Sequence, residues 1–119
     1  MTVRREDLDA GRVDLSEVID TAIPPLTPVH PGDILKHEFL APLGMSVYAL
    51  AAALQVPRTR LNDIVLGRRS VTAETALRLA RFFGTSARFW LNLQSAYDLA
   101  ITAGDRGAVI EREVKPRAA

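Results

Sequence analysis

The segment SVYALAAALQVPRTRLNDIVLG, residues 46–67, decides the fold because it holds two short apolar patterns separated by only a few residues. The apolar residues of the first pattern recur at offsets 0, 3, 4 and 7: Val47, Leu50, Ala51 and Leu54. The second pattern consists of Leu61, Ile64 and Val65. Such spacing is typical of one buried face on each of two amphipathic helices.

The ends of both helices are marked by local signals. Ser46 is a favourable N-cap, and the first helix should end near Gln55. Pro57 suits a first helical turn and Gly67 suits a left-handed closing residue, so the second helix should run from Pro57 to Leu66. Two short helices joined by a tight turn are the parts of a helix-turn-helix, whose second helix lies in the major groove of DNA.

Similar signals extend outward along the chain. Pro31 begins a helix predicted over Gly32–Phe39, which the segment 41–44 ends. A further helix should start at Thr72 and stop at Gly84, and a last one should be capped by Ser86. The apolar face expected for the last helix comprises Phe89, Leu93, Ala96, Tyr97 and Ala100. Since no run alternates with period two, we predict an all-α fold of five helices in the body, preceded by an N-terminal arm.

Charge divides the chain into three parts. Residues 1–29 carry three arginines and six carboxylates, residues 30–100 carry eight basic and five acidic groups, and the whole chain has a net charge of +1. We expect an acidic arm over 1–29, with a possible short helix and a Pro-rich connector, a basic body over 30–102, and a tail over 103–119. In the tail, Val109–Val114 should form an edge strand or stay disordered.

Several classes of function are disfavoured by composition. Cysteine is absent, and His30 and His37 do not form a HExxH zinc site, so we read both as surface or capping residues and expect no metal or cofactor. The sequence has neither a phosphate-cradling glycine loop nor a recognisable nucleophile with its base, which argues against an enzyme. No apolar run has the length of a membrane span, and residues 1–12 lack a signal-peptide core; we expect a cytoplasmic protein without a membrane partner.

The outer face of the second helix carries side chains suited to reading bases. With Leu61 facing inward, Thr59, Asn62 and Asp63 point outward and Arg60 lies at the edge. Arginine can bond guanine in a bidentate manner, asparagine can bond adenine, and aspartate can accept from cytosine. We predict base contacts from these four residues, although Asp63 would repel phosphates unless a base engages it.

Other residues are placed to contact the DNA backbone. Arg58, Arg68 and Arg69 lie at the two ends of the helix, where phosphate strands would pass, and Ser46 adds a helix N-terminus. Individually, each arginine could instead be a solvated surface charge. Arg78 and Arg81 on the next helix are interpreted as solvated residues.

The sequence resembles the HigA/VapI-type antitoxins, which carry the phage-repressor (XRE) helix-turn-helix. The resemblance runs from about residue 30 to residue 99 and includes the blocks HPGDIL (30–35), LQVPR (54–58), NDIVLGRR (62–69), VTAETALRLA (71–80), FGTS (83–86) and FWLNLQ (89–94). Two positions depart from the family pattern. Gln55 stands where many relatives have a turn glycine, and Val47 stands where many have a polar residue near the DNA.

The resemblance implies a five-helix repressor-like domain that forms a homodimer on palindromic double-stranded operator DNA. It also implies a small, basic RelE-like ribonuclease toxin as partner. The expected function is an antitoxin that represses its own operon; the alternative is a stand-alone XRE-type repressor without a toxin. Because such toxins tend to be basic, the acidic arm is a tentative toxin-binding segment through its apolar residues Leu15, Val18, Ile19 and Ile23. The arm could equally pack on its own body or on the dimer partner.

Overall fold

A computed structural model describes residues 27–118 of the chain, and the short helix expected in the arm lies outside this range. Within it the chain forms five helices and no strand, which confirms the all-α prediction. The helices are α1 (Pro31–Leu43), α2 (Val47–Leu54), α3 (Arg58–Val65), α4 (Ala73–Phe83) and α5 (Ala87–Glu113). The α2–α3 pair is the predicted helix-turn-helix, with bounds within about one residue of those expected.

The helix ends follow the local signals in the sequence. The hydroxyls of Ser46, Thr72 and Ser86 each accept a backbone N–H three residues on, at 3.0, 3.3 and 3.0 Å, and so cap α2, α4 and α5. Gly67 and Gly84 both adopt a left-handed conformation with φ of 79° directly after α3 and α4. These caps satisfy backbone groups that a helix terminus would otherwise leave unpaired.

Helix α1 is longer than predicted and changes its winding in the middle. Residues Leu35–Leu40 form a π-helical segment between the α-helical segments Pro31–Ile34 and Ala41–Leu43. Pro42 has no N–H and its ring would press on the carbonyl one turn earlier, so a wider winding before it relieves the conflict. The helix ends at Gly44, which is left-handed, and the predicted end at Phe39 is wrong.

Helix α5 continues through Glu113, across the predicted boundary between body and tail. The expectation of an edge strand or disorder over Val109–Val114 is therefore wrong. The helix runs through Gly104 and Gly107, neither of which has positive φ in the structure. An isolated glycine costs a helix only about 1 kcal/mol, so it need not end one.

The core forms where the helices meet. Its fully buried residues include Leu35, Leu50, Leu61, Ile64, Leu79 and Trp90. The buried face of α5 is centred on Trp90 and Gln94, with Phe89, Ala96 and Ala100 exposed, so the apolar face predicted for this helix is shifted from the true one. A glutamine in an inward position hid the correct face.

Residues 27–118 contain neither a single helix long and apolar enough to cross a membrane nor a cluster of three potential metal ligands. Helices α1 and α2 meet the length and composition of a span only as a pair, and that pair is bent by 98°.

Candidate nucleic-acid interface

Helix α3 has one buried side and one open side. Leu61 and Ile64 are fully buried, whereas Thr59 and Asn62 are exposed and Arg60 is half-buried. The open side therefore presents polar side chains on a helix whose position is fixed by its apolar side. This is the arrangement that direct reading of base edges requires.

The polar residues of α3 border two different clefts. A cleft of about 370 Å³ between α2 and α3 is lined by Val47, Tyr48, Arg58, Thr59 and Asn62. The Arg58 guanidinium lies over the Tyr48 ring, 5.0 Å from its centroid, in a cation–π arrangement that limits the freedom of the arginine. Val47, one of the two departures from the family pattern, gives this cleft an apolar wall.

The second cleft lies between α3 and the start of α4. It has a volume of about 450 Å³, and its lining includes Arg60, Arg69, Ser70 and Thr72. The structure thus brings Arg60 together with Arg69 and sets it apart from Asn62. Asp63 lines neither cleft.

The loop after α3 carries both Arg68 and Arg69, and both side chains are exposed. The Arg68 N–H donates to the Asp63 carbonyl at 2.8 Å and the Gly67 N–H donates to the Ile64 carbonyl at 3.0 Å, which fixes the first part of the loop. The end of the loop is held from α5, because the side-chain oxygen of buried Gln94 accepts the Val71 N–H at 2.8 Å.

The imidazole ring of His30 lies against the same loop at Gly67. Its Nδ1 accepts the Gly32 N–H at 2.9 Å and so caps α1, and the ring makes a T-shaped contact with Tyr97 on α5 at 4.8 Å between centroids. The backbone of Arg69 lies close enough to the ring to favour its charged form. His30 is only 6% exposed, so the capping role expected for it is confirmed and the surface position is wrong.

Burial lowers the pKa of the His30 imidazole below its ordinary value of 6.5. The carboxylates of Asp33 and Asp98 and the nearby backbone of Arg69 oppose this shift, because each favours the charged ring. The ring is thus held mainly in its neutral form at neutral pH. With Nδ1 accepting, the neutral ring carries its proton on Nε2.

Gly32 brings α1 against the end of α3. A Cβ atom at this position would collide with the backbone carbonyl of Ile64 and would also crowd the Val65 Cα. The preceding Pro31 is fully buried. The His-Pro-Gly sequence at 30–32 is therefore a packing device, in which the ring, the buried proline and the missing side chain each have a place.

The turn between α2 and α3 is formed by the other departure from the family pattern. Gln55 is left-handed, with φ of 59°, and it is the only non-glycine residue with positive φ among residues 27–118. The Val56 N–H donates to the Ala51 carbonyl at 3.1 Å, which completes a Schellman-type helix end. Gln55 thus takes the left-handed conformation that a turn glycine would adopt more readily.

Arg78 on α4 contacts the backbone at the end of α2, where this turn begins. Its guanidinium donates to the Leu54 carbonyl at 2.9 Å and pairs with Glu74 at 3.0 Å. The interpretation of Arg78 as a solvated residue is therefore wrong, because the arginine satisfies a carbonyl at the end of α2. Arg81 is exposed, as expected.

Four supporting residues had no predicted role in forming the interface: His30, Tyr48, Arg78 and Gln94. Three of them lie in blocks that carry the family resemblance, His30 in HPGDIL, Arg78 in VTAETALRLA and Gln94 in FWLNLQ, and membership of these blocks was the available signal. Their contacts reach 23 residues or more along the chain for Gln94 and Arg78, so no local pattern could reveal the partner.

The fold and the open face of α3 define a helix-turn-helix protein. The family model described as "Helix-turn-helix" matches residues 37–90, from α1 into α5. Virulence-associated protein I of Dichelobacter nodosus is 51% identical over 81 residues, an alignment that covers 68% of this chain and 75% of that protein.

Solved structures narrow the class. An addiction module antidote protein of the HigA family from Coxiella burnetii is 49% identical, with a TM-score of 0.74 and coverage of 77% of this chain and 100% of that chain. Antitoxin HigA of Pseudomonas aeruginosa, solved with the higBA promoter, is 48% identical with a TM-score of 0.75 and the same coverage. The chain belongs to the HigA family of helix-turn-helix antitoxins and regulators, which confirms the resemblance.

Proposed function

We propose that this chain is the antitoxin of a type II toxin-antitoxin module: it binds operator DNA as a dimer, represses its own operon and neutralises a small, basic RelE-like ribonuclease toxin. The observation that carries the DNA-binding part is the face of α3, where Thr59 and Asn62 are exposed opposite a fully buried Leu61. The Pseudomonas aeruginosa relative, solved with a promoter, supports the same use of the fold.

The two clefts beside α3 suggest a division of labour among the base-reading residues. Asn62 and Thr59, beside the Tyr48–Arg58 pair, would contact bases on the α2 side, and Arg60 would reach bases on the α4 side. Asparagine and arginine form paired bonds with adenine and guanine respectively. Asp63 is half-buried and would accept from a cytosine at the far end of the helix.

Backbone contacts would come from the ends of α3 and the start of α2. Arg68 and Arg69 are exposed on the loop, and Arg58 is exposed at the first turn. The Ser46 hydroxyl accepts the Ala49 N–H, which leaves its own proton free to donate to a phosphate. These contacts would set the position of α3 in the groove and release counterions without reading sequence.

The dimer and the toxin complete the proposal. A two-fold dimer would place two copies of α3 in successive major grooves, with half-sites about 34–36 Å apart or a multiple of that. The acidic segment 1–29 carries six carboxylates and the apolar residues Leu15, Val18, Ile19 and Ile23. That combination would suit a basic toxin surface. The protein would act in the cytoplasm, where operator DNA is found.

DNA binding is tested by fluorescence anisotropy with the duplex found immediately upstream of the protein's own reading frame. Arg60→Ala and Asn62→Ala should each cost about 1–3 kcal/mol on this duplex and much less on a scrambled one, whereas Arg68→Ala should weaken both and reduce the salt slope by about one. Arg81→Ala removes the same charge from an exposed position of α4 and is the matched control. Parent-like binding by both Arg60→Ala and Asn62→Ala would contradict α3 as the reader.

Toxin binding is tested by co-expressing the chain with the product of the adjacent gene and purifying whatever complex forms. Calorimetry on the full chain and on a chain lacking residues 1–29 then measures the contribution of the arm. Unchanged affinity and neutralisation without the arm would exclude the arm as the toxin-binding segment. DNA binding with no partner in the complex would favour the stand-alone repressor.

A further inference from the structure

We propose that His30 is a positioning residue for DNA binding, which holds the loop Gly67–Arg69 so that its two arginines meet the DNA backbone. The inference rests on the proposed DNA-binding function and deepens it. His30 lies outside the helix-turn-helix itself, before the first residue of α1, and its side chain does not reach the open face of α3. Its effect on DNA would pass entirely through the loop.

The first support is the number of elements that the ring joins. Nδ1 accepts the Gly32 N–H of α1 at 2.9 Å, and the ring makes a T-shaped contact with Tyr97 of α5, with 4.8 Å between the ring centroids. A Cβ atom at Gly67 would lie 3.8 Å from the ring, so the imidazole covers the loop backbone at its left-handed glycine. The backbone of Arg69, two residues further on, also lies close enough to the ring to favour its charged form.

The second support is that the local backbone bonds of the loop come from the N–H groups of Gly67 and Arg68 and not from that of Arg69. Arg68 and Arg69 are exposed, and no salt bridge of either residue is seen among residues 27–118. The local bonds from Gly67 and Arg68 return to the end of α3, and the Gln94 bond holds Val71. Between these anchors, the His30 side chain lies against Gly67 and beside the backbone of Arg69. A loop that already holds one position before DNA arrives loses less conformational freedom on binding.

The chemistry of the ring permits two opposite variants. The Oδ1 of asparagine can take the place of Nδ1, so His30→Asn keeps the cap on Gly32 but cannot reach Arg69. The amide nitrogen of glutamine can take the place of Nε2, so His30→Gln keeps a donor for the loop but loses the cap. A role confined to helix capping would make His30→Gln the more harmful change, whereas loop positioning makes it His30→Asn.

The experiment uses the full chain and a duplex of about 30 base pairs, enough for two half-sites, with binding measured over a range of salt concentrations. His30→Asn should weaken binding about three- to thirty-fold, and the salt slope should fall by about one per protomer. His30→Gln should stay closer to the parent in both. The same His30→Asn change made in an Arg68→Ala, Arg69→Ala background should add little, because the loop no longer carries the contacting side chains.

Two results would overturn the proposal: a parent-like affinity and salt slope for His30→Asn, or a full loss that persists when Arg68 and Arg69 are already alanine. Failure of the parent itself to bind operator DNA would count against the proposed function and is separable, because the parent is measured first. If His30→Asn does not fold, Tyr97→Leu loosens the seat of the ring without touching the cap and should reduce the salt slope in the same direction. A parent-like slope for Tyr97→Leu would then overturn the proposal.

Discussion

The two connections that flank α3 are held in place in different ways. The turn before it, around Gln55, is closed mainly by bonds between neighbours, with Val56 donating to Ala51. The loop after it begins with local bonds to the end of α3 and is then held from a distance, by His30 packed against Gly67 and by Gln94 from α5. The turn fixes the angle between the two helices, and the loop places the exposed arginines. Arg78 is the distant support of the turn, whereas the loop depends on two distant side chains.

The largest effect is expected where α1 meets the end of α3, beneath the loop. Gly32→Ala forces a Cβ into the Ile64 carbonyl, so the free energy of unfolding should fall by about 3 kcal/mol or more, as measured by urea denaturation. Gly104→Ala is the matched control, because nothing lies within 4 Å of its added Cβ and the residue is within α5; it should gain about 0.5–1 kcal/mol. If both variants changed the free energy of unfolding equally, the close approach of Gly32 to the Ile64 carbonyl would make no contribution to stability.

A smaller loss is expected at the other support of the loop. Gln94→Leu leaves the buried Val71 N–H without its acceptor and should cost about 1–3 kcal/mol of stability. Asn92→Leu makes a similar substitution at an exposed position of the same helix and should change stability by about 0.5 kcal/mol or less. Thermal and urea unfolding of both variants measure the difference; a parent-like Gln94→Leu would mean that the loop does not depend on α5.

A substitution in the turn before α3 should raise, rather than lower, the free energy of unfolding. Gln55→Gly removes the strain of a side chain at φ of 59°, and it also adds freedom to the unfolded chain, which opposes the gain. Because the relief of strain is the larger effect, the free energy of unfolding should rise by about 0.5–1 kcal/mol. Ala52→Gly places a glycine inside α2 instead and should lose about 1 kcal/mol. A loss of stability in Gln55→Gly would indicate that the glutamine side chain makes a contribution larger than its strain.

The smallest effect is expected in the pH dependence of the loop support. Because the pKa of His30 is lowered in the folded state, the unfolded chain binds a proton more readily below its ordinary value of 6.5. The contribution of His30 to stability is therefore complete above this pH and is lost as the pH falls through it toward the folded pKa. Urea midpoints of the parent should decline over this range more than those of His30→Asn. His37→Asn, on the exposed part of α1, should decline as the parent does.

Much of the fold was predictable because its signals are local. Ser46, Thr72 and Ser86 cap the helices that they were expected to cap, and Gly67 and Gly84 close theirs. The end of α5 was not predictable in the same way, because Gly104 and Gly107 resemble in sequence the glycines that close α3 and α4 but lie inside the helix. Neither has positive φ in the structure.

Only the exposed residues of the candidate interface were predictable from the sequence. Periodicity around Leu61 identified the open face of α3, since the direction of a helical side chain follows from its position. The grouping of Arg60 with Arg69, and of Asn62 with Tyr48 and Arg58, depends on how α3 lies against α2 and α4. Periodicity within one helix contains no information about its neighbours.

The sequence by itself determined where α2, α3 and α4 begin and end, which face of each of these three helices is apolar, and which family the chain belongs to, because these follow from residues a few positions apart. The tertiary structure alone decided that His30 is buried, that Arg78 caps the end of α2 and that Gln94 holds the loop after α3. Each of these side chains is polar and would favour water in the unfolded chain. Each is drawn into the fold by a backbone group that becomes its partner only when distant helices pack together.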